Sequence, residues 1–192
     1  MPQILKVDPI SWDSTLSETR KVLKAGGVVA FPTDTFYGLG ANPYNRIAVD
    51  KIYEIKGRDP EKPLLLLIDS VTKLENLAEK PSAACIKLMQ AFWPGPLTLL
   101  FKPKSSSIQE NITADLIGIR QPGNSVTRNI LSALDHPLTA PSANISGGNP
   151  ATTAQQVQDT FGEKVELILD AGECKGRKPS TIVNATDAPA RS

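Results

Sequence analysis

The sequence predicts an α/β fold in one domain, with a mixed parallel and antiparallel sheet flanked by helices. Three observations carry this. Short apolar runs alternate with segments of helical period along the chain. Glycine and proline breakers separate them, as at Gly26-Gly27, Pro94-Gly95-Pro96 and Pro122-Gly123. No repeat or linker divides the 192 residues, a length that supports one sizeable core.

The elements follow in order. Residues 12–25 read as a helix with Asp13 or Ser14 as cap, an inner face at Leu16, Thr19, Val22 and Leu23, and a stop at the glycine pair. Residues 28–31 form an apolar strand that runs into Pro32, which lacks the N–H to continue a ladder. A polar loop then offers Thr33, Asp34, Thr35 and Tyr37 and breaks at Gly38 and Gly40. Asp34 is expected to make local turn hydrogen bonds. Residues 47–55 are helical, with Ala48, Val49, Ile52 and Ile55 on one stripe. Residues 63–68 are a continuous apolar run of strand length, and a short helix opens at Ser70. Residues 82–93 form a helix with Cys85, Leu88, Met89 and Phe92 inward. Strands follow at 97–101 and 117–120, separated by a polar loop that begins at 105–107. A turn at 121–124 leads to a helix over 126–134, and residues 138–141 lead into Ser142, Asn144 and Gly147-Gly148. Thr153 caps a helix to Phe161, a strand covers 165–169, and a basic loop at 175–178 precedes a last strand at 179–183.

Composition excludes several classes. Hydrophobic content of 40% and charged content of 21% are those of a globular protein, and the net charge of +1 does not announce a polyanion binder. Cys85 and Cys174 form no CxxC pair, which argues against zinc and for a reducing compartment. The first residues resemble no signal or transit peptide and no run reaches membrane-span length, so a soluble, cytoplasmic protein without membrane association is expected. A single histidine, His136, in a loop gives Ser-His-Asp or Cys-His catalysis little support. Neither a P-loop nor a GxGxxG turn is encoded.

The remaining chemistry lies in cations and hydroxyls at strand and helix ends. Lys56 and Arg58, two residues apart with Lys62 nearby, suit a polyphosphate, Arg as a planar fork and Lys as a point charge. Ser142 and Asn144 can donate to phosphate oxygens. Taken singly, each is equally an ordinary helix-end, surface or turn residue, and spacing alone does not show that they converge.

Taken together, the segments resemble the YrdC-domain family of threonylcarbamoyl-AMP synthases. The resemblance rests on Pro32 to Gly40, Lys56-Gly57-Arg58, Lys62-Pro63-Leu64, Trp93 to Thr98, Gly118 to Pro122, Ala140 to Gly147 and Pro179 to Val183, in family order over roughly residues 12–186. It implies one YrdC-like domain over 1–192, a twisted sheet and a concave, basic cleft. It further implies synthesis of L-threonylcarbamoyladenylate from L-threonine, bicarbonate and ATP with release of pyrophosphate, a step of tRNA modification whose product passes to a downstream transferase complex. By the same resemblance Lys56 and Arg58 are catalytic and bind ATP with Lys62, Ser142, Asn144 and Thr152. Thr33, Thr35, Tyr37, Arg120 and Ser180 belong to the threonine pocket, with Leu67 standing where longer members carry a histidine. Mg²⁺ is implied by the triphosphate, with no metal-ligand residues of the protein. A weak RNA contact on the basic face is a further expectation.

Two other readings stand beside this one. An RNA-binding module of the same fold lacks the aromatic content that base stacking favours, since aromatics are only 5%. A carbamoyl-transfer domain of the hydrogenase-maturation type would sit in a larger chain with cysteine-rich zinc segments.

Overall fold

The structure is a computed structural model and describes residues 2–104, 108, 112, 115–176, 178–184 and 186. The expected polar loop at 105–107, and position 177 of the basic loop, lie outside the described residues. In chain order the elements are β1 (Gln3–Lys6), α1 (Trp12–Lys24), β2 (Val29–Pro32), β3 (Tyr37–Gly40), α2 (Arg46–Lys56), β4 (Leu65–Leu67), α3 (Leu74–Leu77), α4 (Ala83–Phe92), β5 (Leu97–Phe101), β6 (Ile117–Arg120), α5 (Ser125–Ser132), β7 (Leu138–Thr139), α6 (Ala154–Phe161), β8 (Leu167–Asp170) and β9 (Thr181–Asn184).

Hydrogen bonding divides the strands into two mixed sheets rather than the single sheet expected. The first has the order β1-β8-β2-β3 and the second β7-β4-β6-β5-β9. They meet where β3 runs beside β7: the Leu39 N–H donates to Pro141 O at 2.9 Å and the Thr139 N–H to Ala41 O at 3.1 Å. Two strands were not anticipated. β1 is a short, largely exposed edge strand parallel to β8. β3 contains Gly38 and Gly40, which read as breakers, yet it pairs antiparallel with β2 from Val29↔Gly40 to Pro32↔Tyr37. The physical reason is packing: a Cβ on Gly40 would lie 2.7 Å from the Phe31 ring and 3.0 Å from Leu138. The glycine admits neighbours rather than ending the strand.

Alternation along β2 explains the layers. Val28 and Ala30 face one apolar cluster with α2, α4 and α6, while Val29 and Phe31 face a second with α1 and α5. In the second sheet Leu66, Leu99, Ile117 and Ile119 close the first cluster. The opposite face holds one row of Leu65, Gly118, Leu100 and Asn184 in register. The next row holds Leu67 beside Arg120, and Thr98 beside Ile182. Most of this face is left uncovered, and that is the floor of a cleft.

Four helix starts are capped by side chains. Asn45, Ser82, Asn124 and Thr153 accept from Ala48, Cys85, Thr127 and Gln156 N–H groups. The expected cap of α1 is corrected: the helix begins at Trp12, and Asp8 accepts from the Ile10 and Ser11 N–H groups ahead of it. In α4, Cys85 and Met89 are buried as expected, but Phe92 is 55% exposed at the last turn. No helix among the described residues is long and apolar enough to cross a membrane.

Candidate functional site

The uncovered face of the second sheet, the β2–β3 loop and the 140–142 segment enclose a cleft of about 350 Å³. Arg58, Arg120, Thr35, Tyr37, Ser142 and Ser180 line it, and no acidic residue is among its described lining residues. A larger hollow of about 650 Å³ lies beside α4, walled by Val71, Leu74, Ile86, Met89 and Trp93. It holds none of the cations and hydroxyls singled out from the sequence, so convergence of chemistry, not size, selects the smaller cleft.

Arg120 ends β6 on the floor. Its side chain is only 2% exposed, and its buried Nε has no hydrogen-bond partner. Burial acts to lower the pKa of the guanidinium, and the Asp34 carboxylate works the other way. A buried guanidinium with an unpartnered Nε is suited to an incoming carboxylate or phosphate. Arg58 also lines the cleft, with Nη2 donating to Pro63 O at 2.9 Å and a buried Nε that is likewise unpartnered. It is placed by the end of α2, where Gly57 adopts φ 57° and the Arg58 N–H closes back onto Tyr53 O at 3.0 Å.

Lys56, expected at the phosphates, is held by backbone carbonyls. It is 2% exposed, and its Nζ donates to Ser142 O at 2.5 Å and Asn144 O at 2.6 Å, with Asn144 Oδ1 at 3.4 Å. The ammonium therefore clamps the Ser142–Asn144 turn from beneath. Burial, with the charge of Arg58 adding, brings its pKa down to about 8. Ser142 Oγ donates to Asn144 Oδ1 at 2.6 Å, and Asn144 Nδ2 donates to Ile145 O and Gly148 O. Lys56, Ser142 and Asn144 thus form one unit, of which Ser142 reaches the cleft wall.

On the hydroxyl side, the Thr35 N–H donates to Thr33 Oγ1 at 3.2 Å, and Thr33 Oγ1 donates to Phe36 O at 2.7 Å. Thr33 is 4% exposed and shapes the loop, while Thr35 faces the cleft. Tyr37 is buried, and its hydroxyl donates to Gly172 O at 2.9 Å, tying the β8–β9 connection to β3. Ser180 precedes β9, and its Oγ accepts from Thr98 Oγ1 at 3.0 Å.

Three sequence candidates lie elsewhere. Leu67 occupies the floor row beside Arg120 but is fully buried among Phe31, Ile130, Leu131 and Leu138, because β7 and α5 cover that end of the sheet. Lys62 is exposed and is not among the described lining residues; its carbonyl accepts from the Tyr53 hydroxyl at 2.9 Å and its N–H donates to Asp59 O at 3.1 Å. Thr152 is bound to Gln156 and to the Cys174 N–H, off the cleft lining. Thr98, in contrast, was missed as a site residue. Its signal was a single hydroxyl inside an apolar strand, on the same face as Leu100 and in register with Ile182.

The chain is similar in sequence and fold to known proteins. A family model named for Sua5, YciO and YrdC and described as "Telomere recombination" covers residues 21–192. The threonylcarbamoyl-AMP synthase of Pyrococcus abyssi is 40% identical over 169 residues, which are 87% of this chain and 49% of that protein. The threonylcarbamoyl-AMP synthase of Marinobacter nauticus is 33% identical over 88% of this chain and 90% of its own length. The crystal structure of P. abyssi Sua5 complexed with L-threonine superposes with a TM-score of 0.89 at 35% identity, covering 98% of this chain and 55% of that one. The chain therefore spans about half the length of its archaeal relative, and nearly all of the Marinobacter one.

Proposed function

Since this chain belongs to the Sua5, YciO and YrdC family, we propose that it joins L-threonine, bicarbonate and ATP into threonylcarbamoyl-AMP and releases pyrophosphate. The observation that carries the reading is that Arg58 and Arg120, each with a buried, unpartnered Nε, line one cleft together with Thr35 and Ser180.

The threonine amine and bicarbonate form a carbamate with loss of water. A carbamate oxygen then bonds to the α-phosphorus, and the bond from that phosphorus to the bridging oxygen breaks. Pyrophosphate takes the electron pair. No protein nucleophile is required, so the work of the protein is alignment and charge neutralisation. Arg120 receives the threonine carboxylate as a bidentate partner. Thr35 and Ser180 serve the amino-acid side, with Thr33, Tyr37 and Thr98 fixing them. Arg58 neutralises the phosphates, and Lys56 acts through the Ser142–Asn144 turn it holds. Mg²⁺ enters this reading as a companion of the triphosphate. Among the described residues no group of three or more His, Cys, Asp or Glu side chains converges to hold a metal, and no step here goes through one. Delivery of the product to a tRNA-modifying transferase, a weak RNA contact and a cytoplasmic setting belong to the same proposal.

The test follows from the phosphate side. Arg58→Ala is expected to abolish pyrophosphate release that depends on both threonine and bicarbonate, while the variant keeps its cooperative unfolding. Retention of that release by Arg58→Ala would overturn the assignment of the phosphates to this wall.

A further inference from the structure

The two sides of the cleft belong to different sheets. Thr35 rides on the loop between β2 and β3, whereas Arg120 ends β6. A threonine that reaches both must find their separation already set. Among the described residues, three hydrogen bonds join these walls. The Gly123 N–H donates to Asp34 Oδ2 at 3.1 Å, Asn124 Nδ2 donates to Thr33 O at 3.4 Å, and Thr127 Oγ1 donates to Pro32 O at 2.6 Å. The last sits at the root of the loop, and the Asn124 side chain is already the cap of α5. Only the first is made by a side chain of the hydroxyl loop itself, from the residue between Thr33 and Thr35.

The other half of this contact is built to fit. A Cβ on Gly123 would lie 3.0 Å from Asp34 Oδ1, so a side chain there would press on the carboxylate, while Gly95 Cα and Pro94 O at 3.6 Å are in ordinary contact. Asp34 does not make the local turn bonds expected of it; its partner lies 89 residues along the chain. Its charge also favours the cationic form of the buried Arg120. No described ion pair joins the two, and the Arg120 Nε has no described partner.

We propose, resting on the function above, that Asp34 is a positioning residue: by accepting the Gly123 N–H it latches the hydroxyl loop of one sheet to the turn that carries Arg120 in the other, and so sets the gap that threonine spans. The carboxylate takes no part in the chemistry and touches no reacting atom.

The test uses the whole chain, with steady-state kinetics and calorimetric titration of L-threonine. Asp34→Ala is expected to raise the threonine KM by about tenfold or more and to weaken threonine binding in parallel, with the ATP KM changed by less than about twofold. Asp34→Asn keeps an oxygen that can accept the Gly123 N–H and is expected to recover most of the loss. Gly123→Ala, whose methyl presses on Asp34, is expected to behave like Asp34→Ala. Equal rises in both KM values, or no rescue by asparagine, would overturn the latch. A wild-type chain that binds threonine but releases no pyrophosphate would defeat the proposed function instead, while the calorimetric comparison would still judge the latch.

Discussion

Lys56 shows how one side chain sets the electrostatics of the site. Its ammonium is buried, hydrogen-bonded to two backbone carbonyls, and lies near Arg58. With its pKa brought down to about 8, it is cationic below that pH and neutral above it. In the unfolded chain it keeps its proton to about 10.4. Between the two values the native state binds fewer protons, so the penalty of burying the charge is present below pH 8 and lifts as pH rises. Activity is expected to move the other way. If the cation holds the Ser142–Asn144 turn against the incoming phosphates, kcat/KM for ATP should fall above an apparent pKa near 8. Lys56→Arg, which does not titrate in that range, should remove this limb; a profile unchanged by the substitution would assign the limb to another group. The family resemblance implied Lys56 at the phosphates, and two cations two residues apart suit a polyphosphate. Spacing does not reveal that two carbonyls from a turn more than eighty residues away occupy its donors.

At the scale of the element, the end of α2 does most of the positioning. The helix stops at Gly57, whose left-handed φ of 57° turns the chain just before Arg58, a residue of the cleft lining. A Cβ there meets nothing within 4 Å, so the cost of Gly57→Ala is conformational alone, about 1 kcal/mol or slightly more. Urea unfolding should show that loss with an unchanged slope. A loss several times larger would mean that residue 57 is packed. The apolar stripe of α2 was legible because Ala48, Val49, Ile52 and Ile55 recur at helical spacing and all are buried. β3 was not legible: its glycines look like breakers, and only the positions of Phe31 and Leu138 explain them. α4 misled at Phe92, because helical period gives a face but not how far along it the neighbouring elements extend.

For the molecule as a whole, the cleft arises because two sheets share one core while the second keeps a face uncovered. The α/β class was readable from alternating elements. The split into two sheets was not, since it depends on which edges pair, and several strands have only two to four residues. The same tertiary fact sorts the candidates. Arg58, Arg120, Thr35 and Ser180 reach the open face, whereas Leu67 is sealed by β7 and α5 although it sits in the row beside Arg120. Thr98 emerges from the register and from its bond to Ser180. The central claim is that this cleft joins a carbamate of threonine to the α-phosphate of ATP. The most direct measurement incubates the wild-type chain with ATP, L-threonine and isotopically labelled bicarbonate, and follows label and pyrophosphate together. The account predicts an adenylate that carries the label and one equivalent of pyrophosphate for each, both lost when threonine is omitted. Pyrophosphate without a labelled adenylate, or no turnover with all three substrates present, would contradict it.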